Sequence, residues 1–324
     1  MDSFDEKFAV ITGGGTGMGR ELARQLAAAG CHIAMCDVSA DNMAQTKAIC
    51  DDVANVEVRV TTHLADVSDE SQILRFRDQV MREHETDCVH LVFNNAGIGS
   101  AGSIIADERD TWEKTFNVCW YGVYYGTRAF LPLLMAAEEG HLINTSSVNG
   151  FWASLGPDIA HSAYSAAKFA VKGFTEALVN DFRLNAPHLK DSVVMPGHIG
   201  TSILINSGKA LGLDPKEMSD EAIQEAREKF ERRGVDFGNA TNDQLRQALM
   251  MQGEAFRDNA PTTAADAASI ILDGVRAGRW RILVGEDAVV LDRMVREDPE
   301  GAYGDDFYER LMGATDWKLG SLQA

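Results

Sequence analysis

The stretch from residue 8 to residue 37 constrains the fold more than any other part of this chain. Phe8-Ala9-Val10-Ile11-Thr12 is a short apolar run with β-branched members, bounded by glycine, which is the pattern of a buried strand. A glycine-rich loop follows, Gly13-Gly14-Gly15-Thr16-Gly17-Met18-Gly19, and residues 20–29 then read as an amphipathic helix stopped by Gly30. His32-Ile33-Ala34-Met35-Cys36 is a second strand, and it ends in Asp37. Strand, glycine loop, helix and strand together announce a βαβ unit and a parallel sheet. Glycines let the backbone turn tightly and let a diphosphate approach the helix N-terminus, where unpaired N–H groups and the helix dipole favour negative charge. A glycine loop alone would be an ordinary turn. Asp37 stands about 20 residues beyond it, where a dinucleotide fold places an acid on the adenosine ribose hydroxyls. A carboxylate there faces the extra phosphate of NADP. At ~4 Å and an effective dielectric of ~20, each unit of like charge costs roughly 4 kcal/mol before solvent screening, so NAD is the expected cofactor and NADP is disfavoured.

The rest of the chain continues the alternation. Residues 40–53 are helix-like and residues 56–60 alternate as a strand; Leu64-Ala65-Asp66-Val67 follows. Asp66 either contacts an adenine ring from a strand end or belongs to the N-cap region of a helix over 69–84. Val89-His90-Leu91-Val92-Phe93 is a strand running into Asn94-Asn95-Ala96-Gly97, another ends just before Ser147, and Ser192-Val193-Val194-Met195 is a further one, ending at Pro196-Gly197. Residues 202–261 are polar and helical in pattern, with helices expected over 215–232 and 242–257. A helix over 262–277, capped by Thr262 or Thr263, precedes the last strand, Arg281-Ile282-Leu283-Val284. Seven strand signals separated by helices describe one doubly wound α/β (Rossmann) domain over residues 1–285 with a seven-stranded parallel sheet. Residues 286–324 exceed what that fold needs. They offer helices at 287–296 and 307–312 and the aromatic side chains Tyr303, Phe307, Tyr308 and Trp317, an extension suited to packing on this domain or on a neighbouring subunit.

Charge and cysteine usage narrow the functional classes. Thirty basic against 49 acidic residues give a formal charge of -19, which repels phosphate backbones and anionic membrane surfaces, so neither nucleic acid nor membrane is an expected partner. The first residues, Met1-Asp2-Ser3-Phe4-Asp5-Glu6-Lys7, lack the basic and apolar regions of a signal peptide, and no apolar run approaches the ~20 residues of a membrane helix. Cys31, Cys36, Cys50, Cys88 and Cys119 form no Cys-x-x-Cys pair and read as reduced thiols in a cytoplasmic protein. The eight histidines are scattered without ligand spacing, so no metal is expected.

Ala163-Tyr164-Ser165-Ala166-Ala167-Lys168 opens a small-residue helix in which Tyr164 and Lys168, four residues apart, share one face. A fixed ammonium beside a phenol stabilises the phenolate, so Lys168 is expected to lower the pKa of Tyr164 from about 10.

Taken together, Thr12-Gly13-Gly14-Gly15-Thr16-Gly17-Met18-Gly19, Asn94-Asn95-Ala96-Gly97 and Tyr164-x-x-x-Lys168 resemble the TGxxxGxG, NNAG and Tyr-x-x-x-Lys motifs of the short-chain dehydrogenase/reductase (SDR) family, in that order along the chain. The resemblance implies a catalytic tetrad of Asn117, Ser147, Tyr164 and Lys168. It selects Ser147 over Ser146 because the family serine stands three residues before a glycine, here Gly150. It also implies cofactor contacts at Gly13, Thr16, Gly17, Met18, Gly19, Asp37, Asp66, Val67, Asn95, Ala96, Gly97, Tyr164, Lys168, Pro196, Gly197, Ile199 and Thr201, and a substrate lid in the 202–261 insertion. Seventeen residues separate Ser147 from Tyr164, more than is common in the family, so a loop near residues 156–161 is expected at the pocket rim.

The implied reaction moves a hydride between NAD and a secondary alcohol or ketone. Tyr164 would act as acid or base, Ser147 would hold the reacting oxygen, and Asn117 would hold a water that links Lys168 to solvent. The aromatic and apolar neighbourhood, with Gly99, Phe151, Trp152, His161 and His198 as pocket candidates, favours a hydrophobic small molecule. A serine hydrolase is excluded by the missing G-x-S-x-G elbow, and the loop spacing argues against the alternative of an NAD-dependent epimerase. A redox-sensing NAD-binding regulator would leave the four tetrad positions unexplained. Family members are commonly homodimers or homotetramers built on the helices around Asn117 and Tyr164, and the small residues Gly122, Gly126, Ala166, Ala167, Ala170 and Gly173 fit close helix packing there.

Overall fold

β1 (Phe8–Thr12) is the strand from which the sheet grows in both directions, and every one of its residues is buried. In the computed structural model the described residues are 1–324 except 100, 101, 106, 158, 232–236, 316, 318 and 320–324. In chain order the elements are β1, α1 (Gly17–Ala28), β2 (His32–Asp37), α2 (Ala40–Val53), β3 (Val60–Leu64), α3 (Glu70–His84), β4 (Leu91–Asn94), α4 (Arg109–Phe116), α5 (Gly122–Ala136), β5 (Gly140–Thr145), α6 (Ser162–Asn185), β6 (Leu189–Pro196), β7 (Ile199–Gly200), α7 (Ile203–Ala210), α8 (Asp220–Glu231), α9 (Asn242–Asp258), β8 (Thr262–Thr263), α10 (Ala264–Arg276), β9 (Arg281–Val284), α11 (Glu286–Glu297) and α12 (Phe307–Ala314). Seven strands form one parallel sheet in the order β3-β2-β1-β4-β5-β6-β9, and β7 pairs with β8 beside it.

Because helices cover both faces, the inner strands read as continuous apolar runs rather than as alternating ones. Ala9 and Ile11 of β1 join α1 and α10 in one core; Phe8 and Val10 point the other way, into a second core with α3, α5 and α6. The sheet order reverses between β1 and β4, the position at which such folds open a crevice beyond the carboxyl ends of the strands.

Local pattern misplaces the edge strand. The alternation at 56–60 suggests a strand there, whereas β3 begins at Val60 and runs to Leu64. Its register comes from pairing with β2, Ile33 with Val60 through Asp37 with Leu64, and its outer face is open to water, so Val56 and Leu64 are both exposed. In the 202–261 insertion, helix is expected from 215 but α8 starts at Asp220: the Asp214 carboxylate and carbonyl take the N–H groups of Lys216, Glu217 and Met218 in a turn, and Ser219 then accepts from Ala222 N. Arg232 lies outside the described residues and Phe230 outside the described side chains. Thr263, rather than Thr262, caps α10, accepting from Asp266 N. The small residues divide. Gly122 lies against Val67, Gly126 against Asn94, and Ala167 is buried, whereas Ala166, Ala170 and Gly173, at i, i+4 and i+7 along α6, lie on its open face, and among the described residues nothing lies within 4 Å of a Cβ placed on Gly173.

The extension folds back on the domain. Ala288, Leu291, Ala302, Phe307, Leu311 and Trp317 close a third apolar core around Val148 and Trp152. Asp292 of α11 ion-pairs with Arg281 of β9 and Arg296, fastening the helix to the sheet edge. No helix among the described residues is long and apolar enough to cross a membrane. The cysteines are free, and burial pushes Cys31 and Cys36 up and Cys50 up to about 12, which keeps these thiols protonated.

β6 carries a buried acid, Asp191, whose Oδ2 meets no hydrogen-bond donor among the described residues. Burial raises its pKa to about 7. The folded chain therefore keeps this proton to about pH 7, while the unfolded chain releases it near ~3.9. The stabilising contribution is full below about pH 4 and is lost as pH rises through about 7. Asp191→Asn is expected to remove that loss, worth at most about 4 kcal/mol, and to raise the melting temperature more at pH 8 than at pH 5. Equal melting of the two proteins at pH 8 would show that Asp191 does not carry the effect.

Candidate active site

The loops after β1, β4, β5 and β6 meet over the carboxyl edge of the sheet. Thr12 and Asn95 stitch the two central strands together there. The Thr12 hydroxyl accepts from Asn95 N at 3.0 Å and Ala96 N at 3.1 Å, and the Asn95 amide donates to the Thr12 carbonyl at 3.1 Å. Gly13 turns with φ +68°, and a Cβ on it would lie 2.8 Å from Ala96 Cα, so only glycine permits this approach. The loop delivers the chain to Thr16, whose side chain does not cap α1, and no acid stands in the first helical turn. The N–H groups of the Gly17-Met18-Gly19 turn are thus left for an anion. Asp37 closes the far end: its Oδ2 accepts from Gly15 N and its Oδ1 from Ser39 N, each at 3.0 Å. Asp66 is occupied with its own turn, accepting from Ser68 N and Oγ at 2.9 and 2.7 Å, while Asp69 caps α3. The Val67 side chain is buried against Gly122.

A cavity of about 110 Å³ lies in the middle of this edge. Ser147, Tyr164 and Lys168 line it together with Asn95, Gly97, Pro196, Gly197, Ile199 and Thr201, and with Met18, Thr145, Ser146, Ile203 and Phe256. Ser147 caps a single 3-10 turn, Val148–Gly150, and its Oγ accepts from Asn149 N at 3.1 Å. Ser146 is engaged elsewhere, its hydroxyl donating to the Lys168 carbonyl at 2.7 Å. The Lys168 ammonium is buried, donates to the Thr145 carbonyl at 2.8 Å, and sits 5.4 Å from the centre of the Tyr164 ring.

The expected depression of the Tyr164 pKa is not found. Burial pushes the phenol above its ordinary value, the Cys119 thiol adds to the rise, and only the hydrogen bond with Ser147 pulls it down. Burial also lowers Lys168. Both groups sit where a charge is poorly solvated, and Lys168 is not among the groups that pull Tyr164 down.

Asn117 opens a π-helical turn, Asn117–Tyr121, between α4 and α5, and its carbonyl accepts from Gly122 N. Asn117 is partly buried and is not among the residues lining the cavity. Two residues on, the buried Cys119 donates to the Ile98 carbonyl at 3.1 Å beside Gly97 and Lys168. Sequence reasoning leaves Cys119 among generic core thiols. A π-turn has no compositional mark that would move it to the site.

The pocket candidates divide. Gly99 N donates to Ser207 Oγ at 2.7 Å, which ties the loop after β4 to α7, and Asn206 donates to Thr16 Oγ1 at 3.0 Å. The His161 ring lies 4.9 Å from that of Tyr164. Phe151 packs beneath the Arg281 guanidinium at 6.0 Å. Trp152 does not face the cavity: its indole is 2% exposed and lies among Phe307 and Trp317 of the extension. His198 is likewise not presented to a substrate. Its backbone N–H donates to Asp287 of α11 at 2.7 Å, and its ring lies tilted against that of Phe256 and bonds that residue's carbonyl through Nε2 at 2.7 Å, making it a strut under α9. Among the described residues no group of three His, Cys, Asp or Glu side chains could hold a metal ion.

Comparison with known proteins gives the same outline. Residues 7–211 match the family model described as short chain dehydrogenase. The chain is 34% identical over 296 residues to SadH of Mycobacterium tuberculosis, covering 91% of this chain and 92% of that protein. It is 31% identical over 228 residues to levodione reductase of Leifsonia aquatica, covering 68% and 80%. A solved short chain dehydrogenase/reductase from Burkholderia phymatum, in complex with NAD, superposes with a TM-score of 0.71 at 28% identity over 93% of this chain and 96% of that one.

Proposed function

The chain belongs to the short-chain dehydrogenase/reductase family, and from that premise we propose that it interconverts a secondary alcohol and a ketone of hydrophobic character with NAD as the preferred carrier. One observation carries this reading: the Ser147 hydroxyl, the Tyr164 phenol and the Lys168 ammonium converge on one cavity beside an uncapped helix N-terminus. The site suits a dinucleotide. The open N-terminus of α1 accepts a diphosphate, and Asp37 at the end of β2 accepts ribose hydroxyls and repels a phosphate in their place. Solved relatives of this fold hold NAD or NADP, so the preference rests on Asp37 alone.

When bound, the nicotinamide supplies hydride exchange at the carbinol carbon. The protein handles the proton. Ser147 donates to or accepts from the reacting oxygen and keeps it beside Tyr164, and Tyr164 transfers the proton to or from that oxygen. With its pKa raised, Tyr164 stands as the neutral phenol at pH 7, the proton-donating form that ketone reduction needs. Alcohol oxidation needs the phenolate and therefore gains from alkaline pH. Lys168 holds the Thr145 carbonyl and stands over the phenol ring, and Met18, Ile199, Ile203 and Phe256 give the cavity its apolar walls. We read the enzyme as a cytoplasmic homo-oligomer acting on a small molecule.

The test is a panel of hydrophobic ketones and secondary alcohols followed by NADH absorbance, run in parallel with NADPH. Turnover with a preference for NADH is expected. A clear preference for NADPH would overturn the role of Asp37. Absence of turnover across the panel, with NADH shown bound, would replace the enzyme by a redox-sensing binding protein.

A further inference from the structure

Ser147 sits at the head of a turn too short to be stable alone, because one helical turn fixes several dihedrals for a single hydrogen bond. What holds the turn is therefore informative. On the inner side Gly150 presses against the Lys168 carbonyl and the Ser146 hydroxyl, with no room for a side chain. On the outer side, Asn149 donates its N–H to Ser147 Oγ at 3.1 Å, and its amide nitrogen donates to the carbonyls of Trp152 and Ser154 at 3.1 and 2.7 Å. Trp152 is in turn anchored outside the dinucleotide fold. Its Nε1 donates to the Ala302 carbonyl at 2.8 Å, and its ring lies 5.5 Å from Phe307 and 6.0 Å from Trp317. The Tyr303 hydroxyl accepts from Ala153 N at 2.9 Å. An unbroken series of contacts thus runs from α12 through Trp152 and Asn149 to the hydroxyl beside Tyr164.

We propose that Trp152 is a positioning residue: seated in the C-terminal extension, it fixes the turn that aims the Ser147 hydroxyl at Tyr164, so that the extension completes the active site without touching substrate or cofactor. The kinetic part rests on the oxidoreductase reading above; the structural part does not. A displacement of about 1 Å at a reacting group can cost 10²-fold in rate. Loosening the seat is therefore expected to lower kcat and to leave the cofactor, held by the glycine loop and Asp37, in place.

The test uses the full chain and Phe307→Ala, which empties the seat from a residue remote from the cavity. The expected result is a kcat lower by about 10- to 100-fold with NADH affinity within about twofold. The pH limb for alcohol oxidation should move to higher pH, as in Ser147→Ala, because both changes remove the hydrogen bond that favours the phenolate. Phe307→Ala should cost nothing further in a Ser147→Ala background, and Phe307→Leu, which refills most of the space, should restore the rate. Amide exchange at residues 149–152 should quicken in Phe307→Ala with NADH bound, and exchange in the glycine loop should not. Wild-type kcat in a folded Phe307→Ala, or losses that multiply with Ser147→Ala, overturns the proposal. If the wild-type chain turns over no alcohol or ketone, the oxidoreductase reading fails separately. Exchange then decides the tether, with faster exchange at 149–152 upholding it and unchanged protection there overturning it.

Discussion

Tyr164→Phe is expected to lower turnover by about 10²- to 10⁴-fold while NADH binding stays near that of the native chain. The substitution removes one oxygen from the cavity and changes neither the volume of the ring nor its packing against His161. What disappears is the only phenol among the described residues that line the cavity, and with it the proton that Ser147 is placed to share. Single-turnover and steady-state rates together with an NADH fluorescence titration check both halves. If NADH affinity falls as far as the rate, the change has disturbed the fold. If the rate is unmoved, proton transfer runs through another group.

The second large effect is expected at Gly19, in the first turn of α1. A Cβ there would lie 2.0 Å from the Gly13 carbonyl oxygen and 2.8 Å from Asn95 Nδ2, distances no relaxed structure tolerates. Both neighbours are fixed, the first as backbone and the second by its bond to the Thr12 carbonyl. Gly19→Ala therefore has to push α1 off the loop. Helix propensity alone would favour the alanine by about 1 kcal/mol, whereas overpacking of this kind costs typically 1–3 kcal/mol or more, so the two effects oppose each other and sterics wins. A fall in melting temperature and an NADH affinity weaker by roughly 100-fold are expected, the latter equal to about 2.8 kcal/mol at 1.4 kcal/mol per tenfold. Native NADH binding by Gly19→Ala would show that the helix can shift without disturbing the anion site.

The parts of this molecule that are legible in its sequence are those whose signal is local. β1 and β2 are buried on both faces and so appear as apolar runs, and the glycine loop and Asp37 stand at spacings set by one βαβ unit. β3 is displaced from its expected place because an edge strand takes its register from its neighbour, and one open face weakens its pattern. Trp152 is the sharper case. An aromatic residue five places after Ser147 suits a pocket wall as well as a core, and the partners that decide between them, Ala302, Phe307 and Trp317, stand about 150 residues away. His198 is misplaced for the same reason, since Asp287 and Phe256 reach it from α11 and α9. For Tyr164, spacing discloses the neighbouring cation but says nothing of the desolvation that raises the phenol.

The π-turn at Asn117 also governs how one long helical segment serves two surfaces. Each residue of an α-helix advances the side chains by about 100°, so the one extra residue enclosed between the Asn117 carbonyl and Gly122 N rotates everything downstream by that angle relative to everything upstream. Upstream, Trp112 reaches across to Ser162 at the start of α6; downstream, Gly122 and Gly126 bear on Val67 and Asn94 beneath. A uniform helix could satisfy one of these docking requirements only by missing the other. The segment is in effect a cam with two lobes out of phase, and removal of a single residue at the offset would make its halves compete for one orientation.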